Sequence, residues 1–488
     1  MNRAKKPDNW RFNRLLSIFA ISAWLLLSMS GCMVGPDFHP PHPDVPSGWA
    51  GVRKTSAEVV SIATSQRAKL ARWWEQFHDT LLTSLVDEAL KKNLSVELAV
   101  SKLRQARAAE GINIAGLLPA INGSAQIQRE KSQAGKTLNL YQAGFDAAWE
   151  LDFFGGQRRS VESAKANTEA AFEGIREAQV SVAAEIALDY VQLREYQQEI
   201  VVARNNLKSQ QETDKIVRLK ARAGFESALD IANADAAVAT TEAQIPVLEM
   251  EARQSIYALS VLLARPPEDL LKCLSLIGAI PQVPARIPAG LPSNLLRRRP
   301  DIREAEALLH SATAQIGVAT ADLFPKFSLT DTVGWQSNQF SSWWFIANRG
   351  FSFGPSVEWS IFQGGAIVSN IHVQEALRDQ AFINYRQTVL GAFEEVENAL
   401  IAFTREQAHY KSLKDSVVAN RKAVDLSIEL YTDGLLDFLN VLVAQRSIYA
   451  AEDLLVQSRA KIALDLISLY KALGGGWEVQ ECMQSRGR

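Results

Sequence analysis

This sequence is poor in the residues that carry out chemistry. Its 488 residues include three cysteines and six histidines. None of the histidines, His39, His42, His78, His310, His372 and His409, stands at metal-ligand spacing, and the chain has no glycine-rich phosphate loop and no Gly-x-Ser-x-Gly elbow. Those absences argue against an enzyme and leave no cofactor to place. Charge of one sign is lacking too: 52 basic residues meet 54 acidic ones, and without a basic block a nucleic-acid partner is not expected. Interior prolines are few and no low-complexity linker follows residue 60, although the length would hold two or three ordinary domains. Cys273 and Cys482 either pair in an oxidising compartment or stand as inert thiols, and the inert reading is the better one.

What the chain does have begins at its N-terminus. Lys5, Lys6, Arg11 and Arg14 precede an apolar run from Leu15 to Leu27, followed by Met29, Ser30, Gly31 and Cys32. The run is too short to cross a bilayer as a helix and has the layout of a lipoprotein signal peptide over residues 1–31, with Met29 where such signals usually carry leucine. Cys32 is then the lipidated residue, and its acyl chains would give stable attachment. Met33 follows instead of a retention-signalling aspartate, so the outer membrane is the expected address. Residues 32–78 open rich in proline and histidine and read as an extended, lipid-anchored arm.

The remainder is written twice. Tyr141, Ala143, Phe145, Ala147, Trp149 and Leu151 alternate with mostly polar residues, which predicts a strand with one apolar face; Gly155 and Gly156 break it, and a long proline-free helix follows. Some two hundred residues on, Phe351, Phe353, Val357, Trp359 and Ile361 alternate in the same way before Gly364 and Gly365. The first repeat, 79–263, reads as a helix over 79–117 ended by Pro119, a β-hairpin over 119–153, a long helix over 157–222, a turn at Gly224 and a helix over 229–263. A proline-punctuated link, 264–292, leads to the second repeat, 293–473: a helix from Pro300, a hairpin over 324–363, a long helix over 366–432, a turn at Gly434 and a helix over 437–473, with a tail at 474–488. Asp331 spoils the apolar face of its strand. In the first long helix Val182, Ile186, Leu193, Tyr196, Ile200, Ala203 and Leu207 keep a coiled-coil spacing that Asp189 interrupts. Arg297, Arg298 and Arg299 read as solvated charge on the approach to a helix.

Strands of about 10 residues can cross a bilayer when tilted. Four strands cannot close, and an open sheet in lipid leaves backbone groups unpaired, so further copies of the chain must complete a barrel; the strand count fits a dimer or a trimer. A helix over 157–222 would be roughly 100 Å long, too long to serve only as cover for a soluble four-stranded sheet. The shorter helices 79–117 and 229–263, stacked end to end beside it, would make an even wall.

Five motifs carry a resemblance: Gly35-Pro36-Asp37-Phe38, Arg298-Arg299-Pro300-Asp301-Ile302, Ile316-Gly317-Val318-Ala319 with Phe324-Pro325, Glu394-Glu395-Val396-Glu397-Asn398-Ala399-Leu400, and Leu473-Gly474-Gly475-Gly476-Trp477. Together they resemble the outer-membrane factors of tripartite, RND-type efflux pumps, and within them the OprM and NodT type of efflux lipoproteins in the TolC superfamily; the likeness covers residues 32–478. It implies a mixed α and membrane-β fold: a homotrimeric twelve-stranded barrel in the outer membrane, four strands from each chain, continued by an α-helical coiled-coil barrel through the periplasm. It implies a conduit that performs no chemistry and exports small toxic molecules or drugs. A periplasmic adaptor of the membrane fusion type and an inner-membrane RND-type transporter are the implied partners.

The same resemblance distributes roles. The turns form the periplasmic tip, with Arg222, Gly224, Phe225, Gly434 and Leu435 as adaptor contacts. Asp230, Tyr431, Leu439, Val443 and Arg446 fall at gate positions, but Asn440 and Val443 stand where family members often have acids. The constriction is therefore expected to be apolar, made mainly by Leu439 and Val443, with Asp230 and Arg446 available for a salt link. Gly155, Gly156, Gly364 and Gly365 are the expected corners between membrane barrel and helical tunnel, and Asp146, Glu150, Asp152 and Glu358 the expected lumen charges. Two other readings remain at this point: the outer channel of a type I protein secretion system, and a structural periplasmic coiled-coil lipoprotein without a pore.

Overall fold

Segments that alternate form strands and proline-free periodic segments form helices, each in duplicate. The computed structural model describes residues 33–50, 62–64, 70–131, 137–284, 286–288 and 292–478. Cys32, the expected lipidation site, and Cys482 lie outside them, while Cys273 is an exposed free thiol. In chain order the main elements are α1 (Thr80–Lys92), α2 (Leu94–Ala115), β1 (Ala120–Lys131), β2 (Thr137–Leu151), α3 (Gly156–Arg222), α4 (Ala228–Leu262), α5 (Pro300–Ala321), β3 (Lys326–Ser337), β4 (Arg349–Glu358), α6 (Ala366–Thr432) and α7 (Phe438–Ala472). The duplication holds to the residue: α3 and α6 each have 67 residues, and α4 and α7 each have 35. Among the described residues, no helix is long and apolar enough to cross a membrane.

One expectation needs correction. The helix expected over 79–117 is two helices, because Asn93 takes an extended backbone (ψ 133°) between them. Its side chain explains the break. Asn93 Oδ1 accepts from the Ser95 N–H at 2.8 Å, capping α2, while Nδ2 donates to the Leu262 carbonyl at 2.7 Å. Asp79 caps α1 in the same way, accepting from the N–H groups of Leu81 and Leu82.

The four strands form one antiparallel sheet in the order β1-β2-β3-β4. Partners across an antiparallel ladder share a face. Ile121, Ala147, Asp331 and Phe353 therefore form one row, and Gly123, Phe145, Val333 and Phe351 the next, on the apolar side. Asn122, Asp146, Thr332 and Ser352 make a row on the other, wet side, together with Glu150 nearer the helical end. Large apolar side chains remain exposed on the first face, Ile121, Phe145, Phe351 and Phe353 among them.

Contacts divide the chain across its repeats. One compact unit gathers the arm up to His42 with Leu103–Ala171 and Ala305–Tyr385, hence the sheet; the other gathers Pro43–Lys102, Phe172–Glu304 and the chain from Arg386, hence the helical turns. In the first unit two of the five sequence motifs are a single contact. A Cβ on Gly35 would come within 2.4 Å of the Gly317 Cα, so the arm lies directly on α5. Arg159, buried on α3, clasps that arm: its guanidinium donates to the Val34 carbonyl (3.2 Å), the Asp37 carboxylate (2.7 Å) and Glu162 (2.8 Å). Phe38 stacks on the His310 ring at 4.4 Å, and His310 in turn bonds Glu162.

In the second unit the other three motifs converge on Arg299. Its place in a run of three arginines predicts surface charge, but it is buried, donating to Asp301, to Glu395 at 2.6 Å and to the Ala472 carbonyl at 2.9 Å. Arg298 pairs with both carboxylate oxygens of Glu478. Glu397 accepts from the Ala50 N–H, and Trp73 stacks on Tyr470 at 5.2 Å in the core beside them.

Candidate functional site at the helical turns

Each long helix ends on a residue that must go left-handed. Gly224 (φ +83°) and Gly434 (φ +77°), 210 residues apart, each follow the last turn of α3 and α6. In both, two bonds close the helix: Phe225 N–H to the Lys220 carbonyl with Gly224 N–H to Ala221, and Leu435 N–H to Leu430 with Gly434 N–H to Tyr431. This is the Schellman arrangement, which favours glycine because a Cβ is strained at positive φ. The chain then re-enters a helix. Ser227 caps α4 in a reciprocal capping box with Asp230, and Asp437 stands at the matching N-cap of α7.

Under the turns lies a small apolar core of Val217, Ala234, Ala237, Tyr431, Phe438, Val441 and Leu442. Tyr431 belongs to this core and not to an open gate surface: it is 1 % exposed, 5.8 Å from the Phe438 ring, with the Lys220 ammonium 4.1 Å over its own ring. Burial, and next the Glu226 carboxylate, push its phenol well above the usual range. Within the chain the ring serves packing under the turns. The expected Asp230–Arg446 link is not formed within the chain either, because the Ser227 hydroxyl and N–H occupy the Asp230 carboxylate and hold its pKa down.

The other expected residues are at the surface. Leu439 is 60 % exposed and Val443 55 %, one helical turn apart on α7, with Arg446 exposed beyond them. Arg222 is exposed, and Phe225 and Leu435 project from the turns at 80 % and 73 % exposure. Apolar side chains this exposed, on tight turns whose own core is already filled, are free for contacts outside the chain. Elsewhere Gly155, Gly364 and Gly365 take positive φ between strand and helix, and Gly156 opens α3 with Ala321 close beside it. Among the described residues, no group of three or more histidines, cysteines or acids is placed to hold a metal ion.

Two helix-strand-strand-helix-turn-helix repeats, a four-stranded sheet with one apolar face and turns of this kind are a combination that comparison with known proteins can decide. The outer membrane efflux protein model matches residues 85–265 and 291–475. The chain belongs to the outer membrane efflux protein family. Relatives agree along nearly the whole length: nodulation protein T of Rhizobium leguminosarum bv. viciae is 34 % identical over 95 % of both chains, and the probable efflux pump outer membrane protein TtgC of Pseudomonas putida is 31 % identical over 96 % of both. The solved structure of the outer-membrane channel OprN superposes with a TM-score of 0.85 at 34 % identity, covering 92 % of this chain and all of that one. The fold is therefore that of the trimeric outer-membrane channel tunnels, with a helical barrel and four strands from each chain. Outer membrane efflux proteins are channel-forming, and this chain is the outer-membrane channel of an efflux pump.

Proposed function

We propose that the protein is a tip-gated efflux duct, anchored through Cys32, that carries small toxic molecules from a periplasmic adaptor and an inner-membrane RND-type transporter to the exterior. One observation carries this reading: the paired turns are locked by a filled core and by glycine caps, yet expose Phe225, Leu435, Leu439 and Val443. Phe225 and Leu435, with Arg222, Gly224 and Gly434, make a surface an adaptor can grip. Leu439 and Val443 close the lumen by apolar contact with their counterparts in the other chains, a seal that needs no titratable group. The wet strand face, with Asp146, Glu150 and Glu358, lines the barrel, and its side chains are solvated there.

The test separates docking from folding. Gly434→Asn keeps a residue that tolerates positive φ and should leave trimers and export intact. Gly434→Trp places a bulky ring on the turn and should leave trimers on native gels while abolishing drug export from cells. Normal export in the Trp variant rules the docking surface out.

A further inference from the structure

The apolar face of the sheet does not stay apolar to its end. Beyond Gly123, Phe145, Val333 and Phe351 its rows lead away from the helices: Ala125, Ala143, Trp335 and Arg349, then Ile127, Tyr141 and Ser337, then Arg129 with Asn139, and Lys131 with Thr137. Every second residue of a strand keeps the same face, so Arg129, Lys131 and Arg349 stand on this one, while Glu130 falls on the other. All three cations are exposed, and among the described residues no acid pairs with them. At the helical end the same face holds rings and no cation, with Trp149, Leu329 and Pro355 in one row and Leu151, Phe327 and Val357 in the next.

The loop between β3 and β4 folds back onto this cationic end. The Phe340 ring lies 5.5 Å from that of Tyr141, and the Trp344 ring 6.2 Å from that of Trp335, both residues of the apolar face. Trp343 joins them, 6.2 Å from Phe340 and 4.7 Å from Trp344. Polar bonds fix the fold-back: the Ser337 and Ser342 hydroxyls are 2.8 Å apart, and the Asn348 amide donates to the Ser342 carbonyl at 2.6 Å. In a barrel with a polar lumen the apolar face is the outer one, so the ring cluster lies on the outer side of the wall. Phe340, Trp344, Phe345 and Ile346 remain exposed there, a patch that calls for a cover.

Charge and position say what covers it. β1 and β4 are three strand spacings apart, about 14 Å, so Arg129 and Lys131 flank the ring cluster on one side and Arg349 on the other. Aromatic rings of this kind sit at the membrane-water boundary, and basic side chains beside them bind phosphate, arginine with two parallel bonds. A lipid with one phosphate answers one flank. An acylated disaccharide with a phosphate at each end answers both. Because the cations are confined to one end of the face, the lipid they fit belongs to one leaflet.

We infer that the β3–β4 loop and its flanking cations form a docking surface for a doubly phosphorylated glycolipid of the outer leaflet. The inference rests on the reading of the helical end as the periplasmic one, which turns the loop outward.

The test uses the full-length protein and Arg129→Gln/Lys131→Gln/Arg349→Gln, purified as trimers in detergent and titrated with equal amounts of diphosphoryl lipid A and phosphatidylglycerol. Retained lipid is counted by native mass spectrometry. The wild type should keep lipid A over phosphatidylglycerol by about five-fold, and the triple variant should lose that preference. Arg349→Gln alone, one exposed change, should lose about half of it, so the result does not depend on the triple variant folding. Equal retention of the two lipids by the wild type, or a preference unchanged in both variants, overturns the site and leaves the orientation standing. A photoreactive phenylalanine analogue at position 346, where the side chain is 83 % exposed, tests the orientation in intact cells. Adducts with phosphorylated glycolipid are expected. Adducts with phospholipid alone overturn the outward orientation and the site with it, whereas adducts with a second chain of the protein, or none, overturn the site alone.

Discussion

A single guanidinium holds the N-terminal arm at Val34–Asp37. Arg159 is 2 % exposed and satisfies two backbone carbonyls and two carboxylates, while Gly317 gives the arm room to lie against α5. Arg159→Ala leaves Glu162 with only the His310 ring and the arm without its clasp, and should cost about 2 kcal/mol. Thermal unfolding reads the loss, and limited proteolysis should cut the chain between residues 33 and 42 faster than in the wild type. Unchanged protection of the arm would contradict the clasp. Asp37, mostly exposed, should matter far less when changed to Asn. Residue-level roles were only partly legible in the sequence. Gly35-Pro36-Asp37-Phe38 and Ile316-Gly317 stand out as motifs, but that they touch depends on a fold that brings distant segments together. Arg299 was misread for the same reason: its partners Glu395 and Ala472 lie far along the chain, so nothing near it in sequence announces burial. Tyr431 shows the limit of assigning roles by position, since its place next to a turn does not say whether the ring faces in or out.

At the level of elements the sequence was far more readable. Alternation over Tyr141–Leu151 and Phe351–Val357 marked strands, although Trp359 and Ile361 lie beyond the end of β4, and Gly224 and Gly434 marked the ends of long helices, because both signals are local and steric. One asparagine in a periodic run is tolerated, so Asn93 does not announce a break; its own preference for the N-cap position, where it accepts the backbone N–H two residues on, is the cue. The helices also create something no periodicity predicts, a cavity of about 920 Å³ among α3, α4 and α7, lined by Glu195, Tyr196, Glu199, Glu251, Tyr449 and Asp453. Burial, and then the Asp453 carboxylate, push Glu199 from the usual 4.5 up to about 7. The folded chain therefore keeps a proton that the unfolded chain releases, and stability falls as pH rises from about 4.5 to about 7, remaining lower above that. Glu199→Gln should accordingly add about 1 kcal/mol at pH 8 and little at pH 4.5, read as a difference in melting temperature. An equal effect at both values would contradict a buried, protonated acid.

For the whole molecule, the decisive feature is a sheet that one chain cannot close. β1 and β4 each keep an edge without a partner in the four-stranded sheet, and lipid offers no water to satisfy those groups. Strand count in the sequence required further copies but could not choose their number; motifs and family did. Compact units that cut across the repeats were not legible, because the duplication runs along the chain whereas packing gathers matching pieces of both halves. The central claim is that the assembled channel is water-filled and shut by apolar contact at Leu439 and Val443. Planar-bilayer recording of the purified protein tests it most directly, comparing wild type with Leu439→Ser/Val443→Ser. Both positions are exposed in the single chain, so the change should spare its folding. The wild type should stay mostly closed with brief openings, and the double variant should conduct steadily. Traces from the two that cannot be told apart would contradict the account.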